Sequence, residues 1–161
     1  ESLMNKLLKV LSKFPELNLI IKLHPAQDPS IDFIKQIIRR LSPNVIIYQS
    51  TSILDIINLC DIMININTEF FPSTVILEGL IMNKPIMNIV IMDKLYEFEY
   101  VKDRAVFSVQ DNDDLEEHLR KIFFDTNFQN ELIKNGQKHL KRYLSNHGTA
   151  SKSFAEVLCS F

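Results

Sequence analysis

The feature that most restricts the fold of this chain is a fivefold alternation of short apolar runs with helical patterns. The run Leu17 to Leu23, "LNLIIKL", is almost continuously apolar and stops at His24-Pro25. A short segment that is apolar on both faces suits a parallel sheet covered on both sides. Val45–Tyr48, Asp61–Ile66 ("DIMINI"), Ile86–Ile91 and Ala105–Val109 read as four further strands. Helical spacing fills the intervals. Leu3, Leu7, Leu8, Val10 and Leu11 form a first helix that Pro15 ends. Ser30 caps a second, with Ile31, Ile34, Ile37, Ile38 and Leu41 on one face, broken at Pro43-Asn44. Ser52 caps a third that runs through Leu59, with Asp55 in its first turn. Pro72-Ser73-Thr74 opens a fourth that reaches about Met82, and Asn83-Lys84-Pro85 turns the chain back into a strand. The segment 92–103, "MDKLYEFEYVKD", has no clear period and reads as irregular. Asp111–Phe124, Phe128–Leu144 and Thr149–Leu158 read as three closing helices. The pattern predicts an α/β domain: a doubly wound parallel sheet of about five strands with helices on both faces.

The composition is compatible with that fold and excludes several functions. A length of 161 residues suits one domain, and 46% apolar residues supply a core. A net charge of -2 argues against nucleic acid or an anionic membrane as the main partner. The basic stretch Lys138–Arg142 lies on a helical pattern and reads as a solvated face. Cys60 and Cys159 lie far apart with no metal-ligand spacing, so two reduced thiols in a cytoplasmic chain are expected. No apolar run reaches the ~18 residues that span a bilayer, and no secretory signal is visible. The chain opens on Glu1 directly into a helical pattern, which suggests a piece of a longer protein, peripheral to the membrane at most.

In open α/β sheets, ligands bind outside the carboxyl ends of the strands. The chain has only three glycines, and neither GxGxxG nor a P-loop is present. A dinucleotide fingerprint and a P-loop are therefore both disfavoured. Pro72-Ser73-Thr74 is the sharpest candidate, because a helix N-terminus offers unpaired N–H groups and partial positive charge. The Ser73 and Thr74 hydroxyls add donors there. Glu78 follows Thr74 by one helical turn, ~6 Å along the same face, which is about the step from a diphosphate to its ribose. A carboxylate can accept two hydroxyl hydrogens at once. The plainer alternative is an N-cap followed by a surface glutamate. His24 ends the first strand and can donate to a phosphate oxygen; a structural histidine bonded to a carbonyl is the alternative. His118, His139 and His147 are expected at the surface, and Asp93, Glu97 and Glu99 as loop charges. No metal site and no paired-carboxylate or Ser-His-Asp set is readable.

These residues carry a resemblance. "IIKLHP" at Ile20–Pro25 is similar to the strand-His-Pro segment of CDP-glycerol glycerophosphotransferases and capsular polysaccharide transferases. "ILDIINLCDIMININ" at Ile53–Asn67 resembles the helix and strand before their donor site. "PSTVILEGLIMNKPIMNI" at Pro72–Ile89 resembles a stretch of GT-B glycosyltransferases and UDP-N-acetylglucosamine 2-epimerases. The segments stand in family order and cover Leu17 to about Val109. The resemblance implies a Rossmann-like GT-B C-terminal domain spanning 1–161, the donor half of an enzyme of surface polysaccharide or glycan synthesis. His24 would contact the diphosphate or the transferred group, Ser73 and Thr74 the phosphates, and Glu78 the ribose. The Gln49-Ser50 loop would face the base. The nucleotide-sugar or CDP-polyol is a substrate, and the resemblance implies no metal or other cofactor. Its partner would be an acceptor-binding N-terminal domain, which usually supplies the general base. A 2-epimerase-like domain and a non-catalytic α/β binding module are the alternatives. The chain departs from the family in three places, the third of which has two readings: this chain starts just after the family's first strand, or the sheet closes without it. Gly79 stands where alanine is usual, "TEFFP" lengthens the link between Asn67 and Ser73, and the family's first strand, which lies mid-sheet ahead of the first helix, is absent.

Overall fold

The computed structural model describes residues 3–24, 35–36, 38–39, 45–67, 73–91, 98–111, 113–144 and 148–160. Helix α1 (Leu3–Leu11) is followed by β1 (Ile20–Lys22), β2 (Ile46–Tyr48), α2 (Ile53–Leu59) and β3 (Met63–Asn67). Then come α3 (Thr74–Ile81), β4 (Ile86–Val90), α4 (Glu99–Lys102) and β5 (Phe107–Gln110). Helices α5 (Leu115–Phe124), α6 (Thr126–Tyr143) and α7 (Ala150–Leu158) close the chain. Between β1 and β2, Lys35, Gln36, Ile38 and Arg39 are helical and Ile38 is fully buried. The rest of the helix expected from Ser30, including Ile31, Ile34, Ile37 and Leu41, lies outside the described residues.

All three strand pairings are parallel, as the continuous apolar runs imply. The expected single sheet is corrected, however. The strands form two sheets, β1-β2 and β3-β4-β5. Among the described residues nothing pairs β1 with β3, so the α/β class stands while the sheet is divided.

The three-stranded sheet is covered on both faces. One face sets Ile64, Ile66, Met87, Ile89, Phe107 and Val109 against α1, α5 and α6 through Leu7, Leu119, Ile122 and Leu132. The other sets Met63 and Ile86 against Ile76 and Leu80 of α3, with Phe98 and Tyr100 beside them. β4 is central and buried at every position, which is why its sequence, "IMNIV", does not alternate.

Element ends differ from expectation for local reasons. Segment 92–103 is not wholly irregular, because its last part is α4. Arg104 then turns the chain at φ 54°, and the Ala105 N–H bonds the Tyr100 carbonyl at 2.9 Å. That turn delays β5 to Phe107 although Ala105 and Val106 are already buried. Asp125 accepts a hydrogen bond from the Phe128 N–H at 2.9 Å and so starts α6 at Thr126 rather than Phe128. Ser52 is the N-cap of α2 with Asp55 in the first turn, but its side chain makes no capping bond.

Candidate functional site

The strand exits of each sheet lie at one edge because the strands are parallel. Helix α3 starts at the exit side of β3 and runs back against β3 and β4. How closely it packs is set by Gly79. A Cβ there would come within 2.8 Å of both Ile86 Cδ1 and Met63 Sδ. A glycine at this position leaves room for the ends of the Ile86 and Met63 side chains.

Ser73 is the N-cap of α3, is half-buried, and makes no side-chain cap bond. Its hydroxyl is therefore not spent on the helix's own N–H groups. Thr74, the first helical residue, is exposed. Glu78 stands one turn on and is half-buried, yet its Oε2 is enclosed and has no hydrogen-bond partner among the described residues. An enclosed carboxylate oxygen without a donor is costly in a folded chain, and a ligand hydroxyl would relieve it.

A polar ladder crosses the same face of the sheet. Asn65, Asn88 and Ser108 are in register on β3, β4 and β5. The Asn65 side-chain amide donates to Asn88 Oδ1 at 2.7 Å, and the Asn88 amide donates to Ser108 Oγ at 3.4 Å. Asn88 is wholly buried. Asn65 and Asn88 lie two residues, ~6.6 Å, beyond Met63 and Ile86 toward the strand exits. Gly79 contacts that earlier pair. Stepping ~6.6 Å back along α3 reaches about four residues toward Ser73. The ladder therefore floors the N-terminal half of α3.

The second group leaves the two-stranded sheet. His24 is exposed just past β1, and Gln49 and Ser50 follow β2. Lys22 ties these exits together: its ammonium donates to the Leu23 and Gln49 carbonyls, each at 2.7 Å. The six residues expected at a site thus fall into two groups on two sheets. Ser73, Thr74 and Glu78 belong to one, and His24, Gln49 and Ser50 to the other. Pro25, Pro72, Phe70 and Phe71 lie outside the described residues.

His139 corrects an expectation. It is 2% exposed rather than at the surface, and its Nδ1 lies 2.6 Å from Asp103 Oδ2. It also stacks on Tyr143 with ring centroids 5.3 Å apart. Arg142 bonds the same Asp103 oxygen. The His139 bond, followed by Arg142, holds the Asp103 carboxyl below its ordinary range. This cluster joins α4 to α6 away from the strand exits. Glu99 is exposed and pairs with Lys102 at 2.9 Å. His118 is half-buried edge-on to Phe107, and His147, Asp93 and Glu97 lie outside the described residues.

Cys60 and Cys159 are free thiols, and burial pushes the Cys60 thiol up. Among the described residues no group of three or more His, Cys, Asp and Glu side chains could hold a metal ion. No helix among them is long and apolar enough to cross a membrane.

Lys22, Asn65 and Asn88 escaped the sequence reading. The available signal was an asparagine at the centre of each of two apolar strands, "MININ" and "IMNIV", where strand propensity disfavours it. Register, which makes the two residues partners, is not visible in sequence. A search of protein-family models and of curated proteins found no match to this chain.

Proposed function

We propose that this chain is the donor-binding domain of a GT-B glycosyltransferase or polyol-phosphate transferase, and that it holds a nucleoside diphosphate at the start of α3. The observation that carries this reading is the combination at α3. The Ser73 hydroxyl is not engaged in capping, and one turn on Glu78 Oε2 is enclosed without a donor. The helix N-terminus and the two hydroxyls would take the diphosphate, and Glu78 would accept both ribose hydroxyls. His24, beside the Lys22 tie, would meet the diphosphate from the neighbouring sheet, and the Gln49-Ser50 backbone would face the base. As the bond to the leaving group breaks, a nucleoside diphosphate from a nucleotide-sugar or CMP from a CDP-polyol, helix dipole and hydroxyls would offset its growing charge without a metal. An acceptor-binding domain would supply the general base. Displacement occurs at the donor's anomeric carbon, or at phosphorus for a CDP-polyol.

Calorimetric titration with UDP, CDP and GDP tests this reading. One of the three binds, and Glu78→Ala weakens it by ~1.5–3 kcal/mol, the worth of charge-assisted hydrogen bonds. Unchanged affinity in the variant removes Glu78 from the ribose role. No binding of any of the three, with an acceptor domain also present, removes the reading.

A further inference from the structure

The exits of the two-stranded sheet carry a cation whose described partners are neutral. The ladder between β1 and β2 runs on past Lys22, where the Leu23 N–H bonds the Tyr48 carbonyl at 2.8 Å. The carbonyls of Leu23 and Gln49, at the ends of the two strands, accept from the Lys22 ammonium at 2.7 Å each. An ammonium has three N–H donors, so one is left over. Lys22 is half-buried, and among the described residues no carboxylate pairs with it. Carbonyl dipoles hold the ammonium in place but do not neutralise it. A cation partly removed from water and left without a counter-charge favours a nearby anion.

Lys6 provides the contrast. Its ammonium also bonds two carbonyls at a strand exit, those of Asp111 and Asp113 beyond β5, at 2.8 and 3.2 Å. The turn there is acidic, with aspartates at 111, 113 and 114. The Asp113 carboxylate accepts from the Gln110 N–H at 2.8 Å and so stays at the exit. Carboxylates this close in sequence offset the Lys6 charge and repel an incoming anion. At the exits of β1 and β2 the described residues are Leu23, His24, Gln49, Ser50, Thr51 and Ser52, with no acid among them. The next acid, Asp55, is exposed in the first turn of α2. His24 follows Lys22 by two residues and Ser50 follows Gln49; both are exposed, and both side chains can donate. An ammonium, an imidazole and a hydroxyl thus gather at one edge without a competing carboxylate.

We infer that these exits form an oxyanion site centred on the Lys22 ammonium, which takes one phosphate group with His24 and Ser50 as further donors. That the phosphate belongs to a nucleotide-linked donor rests on the proposed function; the site itself does not. Within that function Lys22 holds its phosphate by charge, whereas the α3 start acts through helix dipole and hydroxyls.

The test is an NMR titration of the full chain, labelled at lysine side chains and along the backbone, with inorganic pyrophosphate. Sodium chloride holds the ionic strength constant, so that screening does not change. The Lys22 side-chain signals and the His24 and Ser50 amides shift together to saturation, while the Lys6 side chain stays still. Lys22→Met keeps the aliphatic stem and removes the charge. It weakens binding at these exits by about tenfold or more, as loss of a charge-assisted hydrogen bond implies. Slow exchange of the Leu23 amide in the variant shows that strand pairing is intact. Lys22 signals that move no more than those of Lys6 overturn the inference, and these parent-chain signals decide it whether or not the variant keeps its pairing. His24 and Ser50 shifts of undiminished affinity in a well-paired Lys22→Met also overturn it. Shifts confined to Ser73–Glu78 overturn the Lys22 site and leave the donor reading standing. Shifts confined to the β1 and β2 exits support the site and count against that reading.

Discussion

At the scale of single residues, the buried Asn88 and the half-buried Asp103 are decisive. Among the described residues, the Asn88 side chain bonds Asn65 and Ser108. Asn88→Ala leaves the Asn65 amide without its acceptor on a covered face, and a loss of about 1–3 kcal/mol is expected in urea unfolding. Asn65→Ala with Asn88→Ala should cost less than the sum of the two single changes. Asp103 contributes to acid stability. Its carboxyl is held low first by the His139 bond, so its folded value lies below its unfolded one. The stabilisation is therefore full above the unfolded carboxylate value of ~3.9 and is lost as pH falls through the lower folded value. Asp103→Asn should lower stability at neutral pH and flatten the decline below about pH 4, as followed by thermal melts across that range. Retention of the wild-type slope would assign the acid transition to other groups. The sequence did not disclose either residue's role. A helical pattern rich in lysine and arginine looks solvated, while the His139 ring is covered by Tyr100 of α4 edge-on and by Tyr143 stacked on it.

At the scale of elements, helical periodicity and turn chemistry were largely legible. α1, α2 and α3 fall where apolar spacing and Pro, Asn and Ser signals put them, while Asp114 and Asp125 cap α5 and α6 at starts that differ from the expected ones. What escaped was set by contacts distant in sequence. α4 forms within a stretch whose apolar residues have no period of their own, because Phe98 and Tyr100 pack into the cluster around Ile76 and Leu80. Gly79 was visible only as a departure from a resemblance, and its reason lies in Met63 and Ile86. Gly79→Val places a branched side chain where even a Cβ meets both neighbours at 2.8 Å. Overpacking of this kind costs about 1–3 kcal/mol, and the gain in helix propensity over glycine, a few tenths, does not offset it. A lowered urea midpoint with unchanged slope is expected. A variant as stable as the parent would mean that α3 moves off the sheet without loss.

At the scale of the whole molecule, the α/β class and the parallel direction of all strands follow from continuous apolar runs linked by helices. The division into two sheets does not follow from them, because strand neighbours are set by which edges meet rather than by the composition of any one run. The candidate site shows the same limit. Helix geometry in the sequence placed Ser73, Thr74 and Glu78 together on α3, while the Lys22 tie and the asparagine ladder beneath α3 needed strand register. Under the proposed function, a nucleoside diphosphate sits on the α3 start. An NMR titration of the labelled chain with UDP, CDP and GDP tests it residue by residue. For the nucleotide that binds, the expected result is concentration-dependent shifts concentrated in the amides of Ser73 to Glu78 and in His24, with those of α7 unmoved. Saturable shifts elsewhere that leave Ser73 to Glu78 unchanged would contradict it.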